Sequence, residues 1–345
     1  MDQSTLSAPK AAGAKPANDQ LTAPLRFAPI CQYRLWGGRN LAHWLHVPLP
    51  DGPVGEAWLI SDRDDNPSRV SEGPFKGQTL SALVKAYPEQ MLGKYAGRFE
   101  RFPLLLKYLD VAQMLSVQVH PSEAHPQLIP PGEQAKTEGW VVLEAKPESR
   151  IYAGLKPGAT REALRDLSQK TVDEVLPSFT PQVGESVLIE AGDVHSLGDG
   201  VVVLEIQQNS DVTFRVYDWD HVDPTTGQKR PLQVEQALAC VDFDQGIITP
   251  KPPLVTSSGP IKRERLLASR HFELSRSIGA SPFPVGEADA PTIVVCLEGT
   301  GSLAGHGASV AMSKGDVVLL PAAAGVCIFT PEGDATTAEI VIAQP

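Results

Sequence analysis

Apolar positions along this chain fall mostly in short runs broken by Gly, Pro, Asp or Asn, the punctuation of strands and tight turns. Residues 55–61 (GEAWLIS), 140–145 and 151–153 read as strands, and 102–120 begins apolar and ends in SVQVHP. In that last stretch Ser116, Gln118 and His120 recur at period two, so an extended chain presents all three on one face. Helical periodicity is confined to a few segments. Residues 80–95 carry one helix, with Ser81 as its cap, and 160–176 carry the clearest amphipathic one, capped by Thr160. Shorter helices are expected from Asn40 and over 232–240, and a Trp36-Gly37-Gly38 turn precedes the first of these.

From Glu185 the β signal strengthens, with ESVLIEAG, VVVLEIQQ and VTFRVYDW each closed by a turn residue. A Pro-rich hinge at 249–254 leads into a second β-rich block that runs from Leu266 to the end. The fold class expected is mainly β: two jelly-roll barrels, with a few short helices inserted in the N-terminal half. Residues 1–24, rich in Ala, Pro, Ser and Lys, form a disordered tail; 25–248 form the first β domain and 249–345 the second.

Length and a 42% hydrophobic content permit a sizeable core, and 31 Pro with 29 Gly suit many short strands. The net charge of −11 without any basic block argues against a nucleic-acid surface, although a local basic pocket could still receive a small anion. Cys31, Cys240, Cys296 and Cys327 lie far apart and read as free thiols in a reducing cytoplasm. No apolar h-region and no span of bilayer length is present, so neither a signal peptide nor a membrane partner is expected.

Metal chemistry is written into three segments. His120 lies in SVQVHP, Glu138 in KTEGWVVLE, and His195 in GESVLIEAGDVHS. The third has the spacing of the second cupin motif: Gly184, five residues, a position usually Pro, then Gly192, two residues and His195, with Glu190 in the Pro position. Imidazole and carboxylate donors on converging strands suit zinc, iron or manganese, and Gln118 could add a carbonyl oxygen. The other histidines lack a partner pattern. Aligning the C-terminal KGDVVLLPAAAGV with the same motif puts Val326 where the His should be, so the second block should be metal-free.

The ordered set FPLLLKYLDVAQMLSVQVHPSEAHP, KTEGW and GDVHSLGDGVVVLEIQQNSDVTFRVYDWD resembles the class I mannose-6-phosphate isomerases of the shorter bacterial type. RLWGGRNL, GEAWLIS and EGPFKGQTLSAL look like the same family, so the resemblance covers about residues 27–239. It implies a zinc-dependent aldose–ketose isomerase working through a cis-enediol, with His120, Glu138, His195 and Gln118 as the zinc ligands. Arg215, in the NSDxTxRVYD motif, and Lys136, two residues before Glu138, are the catalytic residues it implies. Arg215 would stabilise developing negative charge; Lys136, a metal-bound water or Glu205 would move the proton. Lys107, Ser116 and Tyr217 are expected at the substrate, the first two with Lys136 around its phosphate. A monomer or small homo-oligomer with no macromolecular partner completes the expectation. The rival readings are a metal cupin of other chemistry, such as an iron dioxygenase, and a sugar-binding protein without turnover.

Overall fold

The computed structural model describes residues 21–343. Four antiparallel sheets frame the described residues, arranged as two two-sheet units. In the first unit a six-stranded sheet runs in the order Ile30–Gly38, Val54–Ile60, Leu104–Val111, Val201–Gln208, Glu138–Glu144, Ser186–Ile189. Facing it is a five-stranded sheet ordered Phe214–Tyr217, Val117–Val119, His195–Gly198, Arg150–Ala153, Ser178–Phe179. The second unit pairs a seven-stranded with a four-stranded sheet.

Period-two alternation decides what each strand of the six-stranded sheet buries, because successive side chains point to opposite faces. Along Val201–Gln208, Val202, Leu204 and Ile206 join the largest core cluster, together with Leu106 and Tyr108 of the neighbouring strand. Ile293, Val295, Leu319 and Ile340 of the seven-stranded sheet belong to that same cluster, so the two units pack sheet against sheet. The alternate residues Val201 and Val203 join a separate cluster with Leu109, Trp140, Val142 and Leu197, inside the first unit. Lys107 and Glu205 share this inner face and sit directly opposite each other in register. Their burial there is a packing cost that only mutual charge compensation can offset.

Several local expectations are corrected. The segment 80–95 is two helices, Leu80–Ala86 and Pro88–Leu92, because Pro88 has no N–H to continue the first. Its cap is Thr79, whose side chain accepts from Ala82 N, rather than Ser81. Residues 160–176 also break into two short helices, Arg161–Arg165 and Val172–Val175; Thr171 Oγ1 accepts from Ser168 N in the turn between them. Thr160 does cap the first, accepting from Ala163 N. Gly37 and Gly38 end a strand instead of forming a turn. A Cβ on Gly37 would lie 2.3 Å from Gly55 N, so the residue is small because two backbones meet there.

Residues 1–20 of the expected tail lie outside the described residues, but Leu21 is fully buried. Leu25 and Arg26, expected to open the first unit, pair instead with Leu319 and Val318 of the second. The N-terminal segment therefore straps the two units together. Among the described residues no helix is long and apolar enough to cross a membrane, and all four cysteines are free.

Candidate metal centre

Among the described residues, one group of His, Cys, Asp and Glu side chains converges on a common point: ligand atoms of His120, Glu138 and His195 all lie within 4.8 Å of one another. His120 follows Val117–Val119, and its carbonyl accepts from Gly192 N at 2.9 Å, tying the strand end to the turn that delivers His195. Gly192, at φ 102°, adopts a conformation that side-chain-bearing residues avoid. Glu190 replaces the usual Pro of that turn for a visible reason: its N–H donates to Asp193 Oδ2 at 2.8 Å, a bond proline could not make. Glu190 also receives the Thr137 hydroxyl at 3.1 Å, while Thr137 N donates to Gln208 Oε1 at 3.0 Å. Those bonds fix the residue between Lys136 and Glu138.

The protonation of the two imidazoles follows from their outer hydrogen bonds. His120 Nδ1 lies 2.8 Å from Val212 O and His195 Nδ1 lies 3.0 Å from Asp193 O. A carbonyl can only accept, so each Nδ1 carries the proton and each Nε2 presents a lone pair. Burial lowers both imidazole pKa values, that of His120 to about 3, which keeps them neutral. Their Nε2 atoms each sit 3.3 Å from one oxygen of Glu138. Burial works against the charge of Glu138, yet the Lys136 ammonium holds its carboxyl well below the usual range. Two lone pairs thus face a buried carboxylate, and His120 Nε2 has no hydrogen-bond partner among the described residues. That arrangement repels itself unless a cation lies between, so the residues fit a metal. Gln118 Nε2 donates to His195 Nε2 at 3.2 Å, and its Oε1 accepts from Ser116 at 3.0 Å. Turning that amide over would aim its oxygen at the centre.

Glu138 and Gln118 line a cavity of about 360 Å³, with both imidazoles fully buried behind it. Arg34, Lys107, Lys136, Arg215 and Arg230 bring positive charge to this cavity, and Glu56, Glu138, Glu205 and Asp211 bring negative charge. Lys136 Nζ lies 2.8 Å from Glu138 Oε2. Lys107 is enclosed by Glu205 at 3.1 Å, Asp211 at 3.7 Å and Glu56 at 3.9 Å. Burial opposes its charge, but Glu205, Glu56 and Asp211 together raise its pKa. Burial raises the Glu205 carboxyl, whose Oε2 accepts from Trp140 Nε1 at 3.2 Å. Arg215 makes no ion pair among the described residues. Burial and then Arg230 lower its pKa.

The expected site residues thus divide. Gln118, His120, Glu138, His195, Lys136, Arg215 and Lys107 gather at one centre. Ser116 is buried behind Gln118, and Tyr217 packs on Trp219, ring centroids 5.3 Å apart, outside the cavity lining. Arg34 and Arg230 escaped the sequence reading. Arg34 shares a period-two face with Trp36, which was a usable signal; Arg230 lies in a loop and gave none. A larger cleft of about 590 Å³, bordered by Asp62, Arg63, Arg101 and Glu133, contains none of the metal-facing residues.

Comparison with known proteins agrees with this geometry. Residues 25–171 match the family profile of the phosphomannose isomerase type I catalytic domain. The mannose-6-phosphate isomerase ManA of Bacillus subtilis is 34% identical over 221 residues, 64% of this chain and 69% of that one. A crystal structure of mannose 6-phosphate isomerase from Bacillus subtilis superposes with a TM-score of 0.82 at 27% identity, covering 92% of this chain and 99% of that one. A zinc-bound mannose 6-phosphate isomerase, 17% identical with a TM-score of 0.73 over 93% of this chain and 100% of its own, shares the fold. With a converging His–Glu–His centre inside a mainly β fold of this kind, the chain belongs to the type I phosphomannose isomerase family of enzymes.

Proposed function

We propose that this protein interconverts mannose 6-phosphate and fructose 6-phosphate through a cis-enediol, with zinc held by His120, Glu138, His195 and Gln118. The single observation that carries the reading is the pair of imidazole lone pairs aimed at the Glu138 carboxylate, beside a cavity lined by Lys136, Glu205 and Arg215. Two nitrogens and one carboxylate, with room for further oxygen donors, suit zinc in a catalytic site. The zinc of the fold neighbour supports that choice.

Zinc bound there supplies a fixed divalent charge against which the sugar oxygens can become negative. The protein's own residues do the rest. Moving a hydrogen between C1 and C2 needs a base that takes a proton from one carbon and returns it to the other. Lys136 is the residue we assign to that transfer, acting as the free amine when it takes the proton, because it lines the cavity next to the ligand carboxylate. Glu205 is the second candidate: burial raises its pKa, which makes its carboxylate a stronger base, and the Trp140 indole fixes its orientation. Arg215, free of any carboxylate partner, is available to the negative charge that grows on the enediol oxygens. Leu109, Leu115 and Leu197 with Trp36 and Trp140 form the apolar wall that limits water at the reacting carbons.

The reading is tested by following mannose 6-phosphate by proton NMR in deuterated water with the zinc-loaded protein. Fructose 6-phosphate should form with deuterium entering from solvent at C1 or C2. Deuterium in the product would uphold proton transfer through the enediol, and no product would remove the isomerase.

A further inference from the structure

Substrate bound with its first two carbons at Glu138 and Gln118 carries its phosphate several bonds further along the same cavity. The inner cations are already committed. Lys107 is balanced by three carboxylates and Lys136 by Glu138. What remains is a group of guanidiniums, which keep N–H donors beyond those a single carboxylate occupies: Arg34, Arg215 and Arg230.

Arg34 and Arg230 are each held by one edge. Arg34 Nε and Nη2 donate to the two oxygens of Glu56 at 2.9 and 3.2 Å, and its Nη1 donates to Tyr33 O at 3.1 Å. Arg230 Nε donates to Asp218 Oδ2 at 2.8 Å and its Nη2 to Asp218 Oδ1, while Nη1 makes no bond among the described residues. A guanidinium has five N–H donors, so both keep free donors on the edge away from the carboxylate. Their side chains are 29% and 20% exposed, so those donors can meet a ligand from solvent. Both approach Arg215 closely enough to weigh against its charge.

The two arrive from different parts of the chain but are joined. Arg34 lies on the strand Ile30–Gly38, and Arg230 follows a hairpin in which Val222 bridges Lys229. Tyr33 OH donates to Asp223 Oδ1 of that hairpin at 3.3 Å, holding the two segments together. Guanidiniums crowded on one wall, pre-oriented by carboxylates behind them and unpaired in front, are built for an anion with several oxygens.

We infer that Arg34 and Arg230 form a clamp for the phosphate of the substrate, and so set its preference for phosphorylated over free sugar. This rests on the isomerase reading. Lys107, the residue expected to do this from sequence, instead organises the carboxylates of the inner wall.

The test uses the zinc-loaded protein and its variants Arg34→Gln and Arg230→Gln, with Arg34→Lys and Arg230→Lys to keep the ion pair to Glu56 or Asp218 while losing the fork. KM and kcat for mannose 6-phosphate are measured, and binding of inorganic phosphate is measured by calorimetry. Each Gln variant should raise KM and weaken phosphate binding about 10- to 100-fold, with kcat changing less than KM and zinc content retained. The Lys variants should fall between, and they carry the same readout if a Gln variant does not fold. KM and phosphate affinity within about twofold of the parent in folded, zinc-loaded variants would overturn the clamp. If the parent protein lacks isomerase activity, the isomerase reading fails by itself. The phosphate titration then still decides the clamp: binding lost in the variants upholds it, and no binding by the parent overturns it.

Discussion

Lys107 Nζ and Glu205 Oε1 stand 3.1 Å apart on adjacent strands, directly opposite in register and both almost fully buried. Removing the lysine alone strands Glu205, Glu56 and Asp211 near one another without their shared cation. Lys107→Met should therefore cost about 3–5 kcal/mol of stability, read from the urea midpoint. Adding Glu205→Gln to it should recover part of that loss. A Lys107→Met protein as stable as the parent would show that the pair is not a structural unit.

Asp62 offers a pH signature away from the metal. Burial raises its carboxyl pKa to about 6, against the lowering by the Phe102 amide, which donates to Oδ2 at 2.7 Å. The folded pKa lies above the unfolded one, so the folded state binds this proton more tightly. Its contribution is fully present below about pH 4 and is lost as pH rises through about 6. Asp62→Asn should escape that loss, since an amide oxygen can keep the Phe102 bond. The stability of Asp62→Asn relative to the parent should rise by up to about 3 kcal/mol between pH 4 and pH 7, followed by urea unfolding. A pH-independent difference would contradict the shifted ionisation.

Gly315 marks how tightly the two β units interlock. At φ 90° it passes the Trp44 backbone so closely that a Cβ would lie 2.0 Å from Trp44 O. Its carbonyl accepts from the Tyr108 hydroxyl at 3.2 Å. Gly315→Ala should lower stability by at least about 2 kcal/mol, with both units melting together in calorimetry. Two separate transitions would mean that the sheet-on-sheet core does not couple them.

Lys136→Met tests the proton carrier. With Thr137 still pinned by Gln208 and Glu190, Glu138 keeps its position. The variant should retain zinc by elemental analysis, yet lose isotope exchange at C1 and C2 by about 100-fold or more. Exchange at the parent rate would shift the role to Glu205, where Glu205→Gln becomes the deciding variant.

Much of this was legible along the chain, and the reasons are local. Strands showed because short apolar runs closed by turn residues are local features, as in VVVLEIQQ; that strand is buried on both faces, so which way Glu205 points emerged only from the packing. The metal-facing residues showed because each lies in a short segment with a turn signature, such as the Gly192 turn before His195. Helix lengths misled because apolar spacing continued past Pro88 and past the Ser168–Thr171 turn, where local hydrogen bonds end the helix. Arg230 was invisible because its meaning comes from Asp218, twelve residues earlier, and from a strand across the cavity. The surroundings of Lys107 were hidden for a related reason: a lysine near the site looks free until the three carboxylates around it are placed.

The most direct test of the central claim is the rate of conversion of mannose 6-phosphate to fructose 6-phosphate before chelation, after it, and after adding zinc back. The account predicts activity that is lost with the metal and returns with zinc, and no return in a His120→Ala protein. Undiminished turnover in metal-free protein, or none in zinc-loaded protein, would contradict it.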